Sequence, residues 1–203
     1  MELDHLAVTC ADLAAGTAYV ETALGVGLQP GGQHARYSTH NRLLSLGPGE
    51  YLEVIAPDPT APKPTHPIWF GLGQATTPRL GNWIARVPDL ATALRAATPE
   101  AGESVALERG ELKWRIAVPP DGTMPLGGAY PTLIEWQGTA PHPSIRLTDL
   151  GVRLTALDIY HPNADYLTET MGQSLNDPRI HFHPGPLKLL ATFSTPHGPR
   201  TLS

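Results

Sequence analysis

Two short apolar runs each carry a single carboxylate. Tyr51-Leu52-Glu53-Val54-Ile55 is closed by Ala56-Pro57, and Leu133-Ile134-Glu135-Trp136 repeats the figure later in the chain. Both runs are rich in strand formers and short, so they read as buried strands. A glutamate inside a buried strand is costly unless it is hydrogen-bonded, paired or bound to a cation. One such residue is explained by a strand edge turned to water. Two, at matching places in similar segments, imply a duplicated unit with one inward acid from each copy. Histidines supply the second kind of group. His5 sits in the first strand-like run, and His34 follows Gly31-Gly32, which allow close approach of the backbone. His181-Phe182-His183 has the i, i+2 spacing that puts two imidazoles on one face of a strand, where they could grip one ion. Pro184-Gly185-Pro186 follows, so a water-exposed pair at a strand end is the simpler reading. His40, His66, His142, His161 and His197 lie beside Pro, Gly or Asn and read as loop residues. Cys10 precedes Ala11-Asp12, and a place near a helix N-terminus would lower its thiol pKa. Without a dyad partner it reads as a small packing residue.

The elements that must position these groups are legible as a repeat. Leu3–Thr9 is the first strand, with Leu3, His5 and Ala7 on one face and Asp4, Leu6 and Val8 on the other by alternation. Asp12 caps a helix whose stripe is Leu13, Thr17, Val20 and Leu24, and Gly25 stops it. Strands are expected at 26–29, 41–46 and 51–56, with 33–40 a polar loop or an irregular edge. After a Pro- and Thr-rich loop over 57–79, in which Trp69 and Phe70 are pinned to the body, the order restarts. A strand at 82–87, a helix capped by Asp89, and strands at 104–107, 112–118 and 132–137 follow. Setting Glu53 on Glu135 gives an offset of 82 residues, and setting His5 on Trp83 gives roughly the same. A third piece, with strands at 154–160, 181–183 and 187–194 and a helix opening at Pro162-Asn163, reads as a partial βαββ unit. The expected organisation is α+β, with modules over about 1–57 and 80–138 in a domain of residues 1–143 and the partial unit over 144–203.

Composition excludes several classes. The 203 residues are 41% hydrophobic, enough for a core. Lys+Arg 14 against Asp+Glu 19 gives a formal charge of −5, which argues against binding a phosphate backbone. No apolar run is long enough for a membrane span. The start Met1-Glu2-Leu3-Asp4-His5 lacks the pattern of a signal peptide, and the single Cys10 leaves no internal disulfide, so a cytoplasmic setting is expected. Pro 22 and Gly 20 fit many short strands and turns.

Leu3-Asp4-His5-Leu6-Ala7-Val8, Asp12-Leu13, Gly31-Gly32-x-His34, Asn41 and Tyr51-Leu52-Glu53 together resemble the glyoxalase-like branch of the vicinal oxygen chelate superfamily, and Ile134-Glu135-Trp136 with His142-Pro143 is similar to its second-half ending. The resemblance covers about residues 1–143. It implies paired βαβββ modules whose sheets curl around a shared cavity, and a divalent metal held from the first and last strands of each module. On that basis His5, Glu53 and Glu135 are the expected metal ligands, with Glu135 also the candidate base, and His34, Trp83 and Trp136 line the substrate. The second module's first strand reads Asn82-Trp83-Ile84-Ala85 and offers no ligand, so the four-ligand set is incomplete unless His34, from the Gly-Gly-x-His turn, makes up the number.

A histidine with two carboxylates suits Zn, Mn, Fe(II), Ni or Mg. Such an ion would bind two adjacent substrate oxygens and stabilise an enolate or oxyanion, as in lyases, isomerases and dioxygenases. The competing expectation is a non-catalytic protein of the same fold that sequesters an apolar small molecule; the missing ligand favours it. In either case the expected partner is a small molecule, with no nucleic acid and no membrane; a homodimer is allowed.

Overall fold

The computed structural model describes residues 1–172 and 174–203. The first module is β1 (Glu2–Thr9), α1 (Leu13–Leu24), β2 (Gln29–His34), β3 (Thr39–Gly47) and β4 (Glu50–Pro57). The second is β5 (Arg79–Arg86), α2 (Leu90–Ala96), β6 (Glu103–Arg109), β7 (Leu112–Val118) and β8 (Thr132–Gln137). A short helix α3 (Pro143–Arg146) leads to β9 (Arg153–His161), α4 (Ala164–Met171), β10 (Ile180–Pro184), β11 (Lys188–Thr195) and β12 (Gly198–Leu202). Both expected caps form. Asp12 accepts from the Ala15 N–H at 2.7 Å and Asp89 from the Thr92 N–H at 2.9 Å. Gly25 ends α1 at φ 74°, a left-handed conformation that glycine adopts without the Cβ clash.

The first eight strands make one sheet in the order β2-β3-β4-β1-β5-β8-β7-β6. In each module the first strand runs parallel to the last, β1 beside β4 and β5 beside β8. The two modules join where β1 meets β5 antiparallel. β2 runs through the Pro30-Gly31-Gly32 segment expected as a turn and into the stretch expected as a loop or an irregular edge. Pro30 lacks an amide donor, and an edge strand tolerates that loss, with the ladder interrupted between Pro30 and Gln33. The C-terminal unit has one strand more than expected, β12, in a four-stranded sheet ordered β10-β9-β11-β12.

The eight-stranded sheet buries both faces. On the convex face Leu6, Val8, Leu52, Val54, Trp83, Ala85 and Leu133 pack with Val20 and Leu24 of α1, Leu90 of α2, and Leu157, Ile159, Leu167 and Phe193 of the C-terminal unit. The C-terminal unit therefore covers the convex face, and its last residue is tied in by the Tyr19 hydroxyl and the Leu80 N–H, both donating to the Ser203 carbonyl. On the concave face Ala7, Ile55, Ile84, Ile116 and Ile134 pack with Trp69, Phe70 and Trp114. Trp69 and Phe70 stack at 4.8 Å, and Tyr37 stacks on Trp69 at 4.4 Å, so the long loop forms an aromatic roof over the concavity. Cys10 is buried and its thiol is pushed up to about 11 by burial, the reverse of an activated thiol.

Candidate ligand-binding site

The polar centre of the concave face begins with a bulge. β1 carries one extra residue between the pairs Leu3–Ala85 and His5–Ile84. Simple alternation put Leu3 with His5 and Asp4 with Leu6. The bulge instead leaves Leu3 in the convex core and turns Asp4 and His5 together toward the concavity. Asp4 is fully buried and serves as a hub. Its Oδ1 lies 2.7 Å from His5 Nδ1, and its Oδ2 accepts from Trp136 Nε1 at 2.8 Å and lies 3.1 Å from His142 Nε2. Arg86 Nη1 stands 3.6 Å from the same oxygen. Burial raises the Asp4 pKa, but the hydrogen bonds and charges of His142 and His5 outweigh it and hold the carboxyl well below its usual range.

His5 is stacked on Tyr51 at 4.3 Å, and its Nε2 faces Glu53 Oε2 at 3.6 Å. That separation is too long for a hydrogen bond and acts as a charge pair. Burial lowers the His5 pKa, but its two acidic neighbours, Asp4 and Glu53, outweigh it and raise the value to about 9. Glu53 is oriented from the other side. Gly32 N–H donates to Asn41 Oδ1 at 2.7 Å, and Asn41 Nδ2 donates to Glu53 Oε1 at 2.5 Å. This chain explains the two glycines: a Cβ on Gly31 would fall 1.9 Å from Asn41 Oδ1. Burial raises the Glu53 pKa, but His5, His34 and the Asn41 amide lower it to about 2. Asp4, His5 and Glu53 are thus an anion, a cation and an anion in a row.

His34 completes the polar side. Arg109 Nη1 lies 3.2 Å from its Nε2, and a guanidinium cannot accept, so Nε2 is the acceptor. The proton then sits on Nδ1 and is donated to Thr39 Oγ1 at 3.1 Å. Burial, with the nearby cations Arg109 and His5, drops the His34 pKa to about 4 against the pull of Glu53, so the ring is neutral. Leu43, Trp114, Ile116, Ile134 and Trp136 complete the walls of a cavity with a free volume of about 30 Å³, room for little more than a water.

His5, Glu53, His34 and Trp136 therefore line one cavity. The expected convergence of Glu135 on it does not occur. Its carboxylate lies on the helix side of β8, where Oε2 accepts from the Leu90 N–H at 2.8 Å and Oε1 from Gln137 Nε2 at 3.1 Å. Trp83 does not line the cavity either. It is fully buried in the convex core, donates to the Ala129 carbonyl at 3.2 Å and faces Phe182 at 6.5 Å. Both departures have one cause: a one-residue slip in register moves a side chain to the opposite face of a strand. The contributions of Asp4, Asn41, His142 and Arg109 were not foreseen. Asn41 belonged to the resemblance but had no assigned task, and His142 looked like a loop residue between two prolines. Outside the cavity, His181 and His183 both face Asp158, at 3.5 and 2.7 Å, on the partly exposed face of the second sheet.

The donor set does not fit the metal centre that the resemblance implied. His5 Nε2 and Glu53 Oε2 are the two donors that face each other, His34 Nε2 is engaged by a guanidinium, and Glu135 lies on the other face. Among the described residues no group of three or more His, Cys, Asp or Glu side chains is arranged to hold an ion.

The family of glyoxalase-like domains matches residues 3–175. This chain belongs to that family. The glyoxalase-like protein is also similar to a solved hypothetical protein from Staphylococcus aureus, with 12% identity over 92% of this chain and 87% of that one, at a TM-score of 0.60. That likeness shows the fold, an α+β arrangement of mixed, curled sheets. Methylmalonyl-CoA epimerases from Mycobacterium tuberculosis (18% identity, 68% of this chain and 88% of that one) and Streptomyces coelicolor (11%, 68% and 97%) align at a TM-score of 0.43. The S. coelicolor structure is a complex with 2-nitronate-propionyl-CoA. Curated proteins include no match. Among the described residues no helix of the glyoxalase-like protein is long and apolar enough to cross a membrane.

Proposed function

We propose that this glyoxalase-like protein binds a small organic molecule without a resident metal, holding a hydroxyl or amine donor of the ligand on Glu53 and its apolar body against Trp69, Trp114 and Trp136. One observation carries the reading. Glu53 is a buried, ionised carboxylate whose Oε1 is taken by Asn41, while its Oε2 makes no hydrogen bond among the described residues and lines the cavity. An ionised carboxylate oxygen that faces a cavity in that state gains a charge-assisted hydrogen bond from a ligand donor. The same electrostatics argue against proton abstraction as its task. A general base works best with a pKa near the operating pH, and Glu53 is held near 2.

The metal-dependent lyase, isomerase or dioxygenase reading rests on the pair His5 Nε2 and Glu53 Oε2, which face each other. Two protein donors fall short of the three that a catalytic centre of this kind uses. Calorimetric titration of chelator-treated protein with Zn, Mn, Fe(II), Ni and Mg, beside wild-type and Glu53→Gln tryptophan fluorescence with a panel of small hydroxylated aromatics, separates the two. Ligand quenching that weakens in Glu53→Gln with no stoichiometric metal uptake supports binding without metal. Stoichiometric uptake that disappears in Glu53→Gln overturns it.

A further inference from the structure

The cavity is too small for the ligand just proposed unless a wall moves, and the side chain of Arg109 forms one of its walls. Arg109 ends β6, half-buried, and separates the inner cavity from an outer groove of about 630 Å³ that it also lines, with Leu43 common to both. A guanidinium has five N–H donors, yet the hydrogen bond this one makes is to the Nε2 of His34. Among the described residues no carboxylate stands within ion-pair distance of Arg109. The other arginine of the groove, Arg146, is matched to Glu111 at 2.9 Å. A neutral imidazole is a weak partner for a half-buried cation, because it offers one lone pair and no charge, whereas a carboxylate offers two oxygens in the fork geometry of the guanidinium. The opposite wall leaves room for the side chain: a Cβ on Gly32 would fall 2.8 Å from Arg109 Cδ.

We propose that Arg109 is the anion receptor of this site: a ligand carboxylate draws it off His34, and the turn of its side chain joins the outer groove to the inner cavity. Resting on the small-molecule reading above, this names the ligand class as a small apolar or aromatic carboxylic acid that also carries a hydrogen-bond donor. The acid group stays at Arg109 in the groove, and the donor reaches Glu53 inside. Once Arg109 has left, His34 Nε2 is freed to accept from the ligand. The like charge of Glu53 keeps the carboxylate from entering the wrong way round.

The test uses acetate, lactate, mandelate and 3-phenylpropionate, each beside its neutral amide, with wild type, Arg109→Gln and Arg109→Lys. Affinity is read by tryptophan fluorescence and calorimetry, and His34 by its ring resonances. Mandelate is expected to bind tenfold or more tightly than mandelamide, to lose that preference in Arg109→Gln, to keep part of it in Arg109→Lys, and to shift the His34 signals. Acids and amides binding wild type alike, or acid affinity unchanged in Arg109→Gln, overturns the receptor and leaves the small-molecule site standing. Amides binding while no acid does has the same meaning. Failure of every probe overturns both. If Arg109→Gln does not fold, the acid-to-amide comparison in wild type decides alone.

Discussion

Ile84 stands directly across from His5 in the β1–β5 ladder, and it is the residue that the second module offers where the first offers a histidine. The parallel pairs extend the relation. His5 pairs with Tyr51 and Ala7 with Glu53 in the first module; Ile84 pairs with Thr132 and Arg86 with Ile134 in the second. Ile84 and Ile134 are thus the counterparts of His5 and Glu53, and the polar half of the repeat exists once. The apolar half closes the cavity against Trp114 and Trp136.

That relation predicts where a third donor would go. Ile134→Glu should lower stability by roughly 2–4 kcal/mol, the order of burying an unpaired polar group, and excess zinc should restore part of the loss while leaving wild type unmoved. Paired melts with and without zinc check it. A variant that ignores zinc would put Ile134 out of reach of the His5–Glu53 pair.

The buried histidines set opposite pH limbs. His5 titrates near 9 in the fold against 6.5 unfolded, so its contribution is complete below pH 6.5 and lost as pH rises through 9. His34 titrates near 4 against 6.5, so its contribution is complete above pH 6.5 and lost as pH falls through 4. Each limb is worth roughly 3 kcal/mol, or about 6–12 °C in Tm for a chain of this size. Melts from pH 3 to 10 should peak near pH 6.5. His34→Gln should flatten the fall between pH 6.5 and 4 and leave the alkaline limb alone. A flat profile from pH 7 to 10 would show that His5 is not held as the cation.

Two glutamates on similar strands should behave differently. Glu53→Gln removes one of the two anions that hold His5 charged. It should cost about 1–3 kcal/mol, bring the alkaline limb to lower pH and weaken ligand binding. Glu135→Gln keeps an oxygen for the Leu90 N–H but loses the second acceptor that the half-buried Gln137 amide uses, and the favourable charge at the start of α2, the latter worth about 0.3–1 kcal/mol. Its ligand binding should match wild type. Equal effects of the two variants on binding would contradict the face assignment of β8.

The paired glycines should be separable as well. Gly31→Ala drives a Cβ into Asn41, including its backbone carbonyl at 2.6 Å, and should cost about 1–3 kcal/mol while releasing Glu53 from its orienting amide. Gly32→Ala meets the flexible Arg109 side chain instead. It should leave Tm within about 1 kcal/mol of wild type and loosen the Arg109–His34 contact, seen as a change in the His34 ring resonances.

Local chemistry was readable from the chain alone. The caps at Asp12 and Asp89, the stop at Gly25, the strands of β7 and β8 and the strand-helix-strand order all follow from propensity and periodicity within a window of a few residues. The resemblance located His5, Glu53 and His34, and their types implied a buried polar centre. What the chain could not disclose is which face each strand turns inward. A single bulged residue at Asp4 rearranges the start of β1. A repeat aligned one residue out put Glu135 and Trp83 on the cavity when they belong to the convex side. Pleat has a period of two, so the smallest error in register is also the largest error in position. The partners of the site lie still further beyond a local window. Asp4 reaches Trp136 and His142, and Arg109 reaches His34, only because the sheet curls until β6 and β2, its two edges, come together. Residue type supplied the acids and imidazoles; the curl and register of the sheet decided that one module is polar, the other apolar, and that an arginine with no carboxylate partner among the described residues stands between the cavity and the groove.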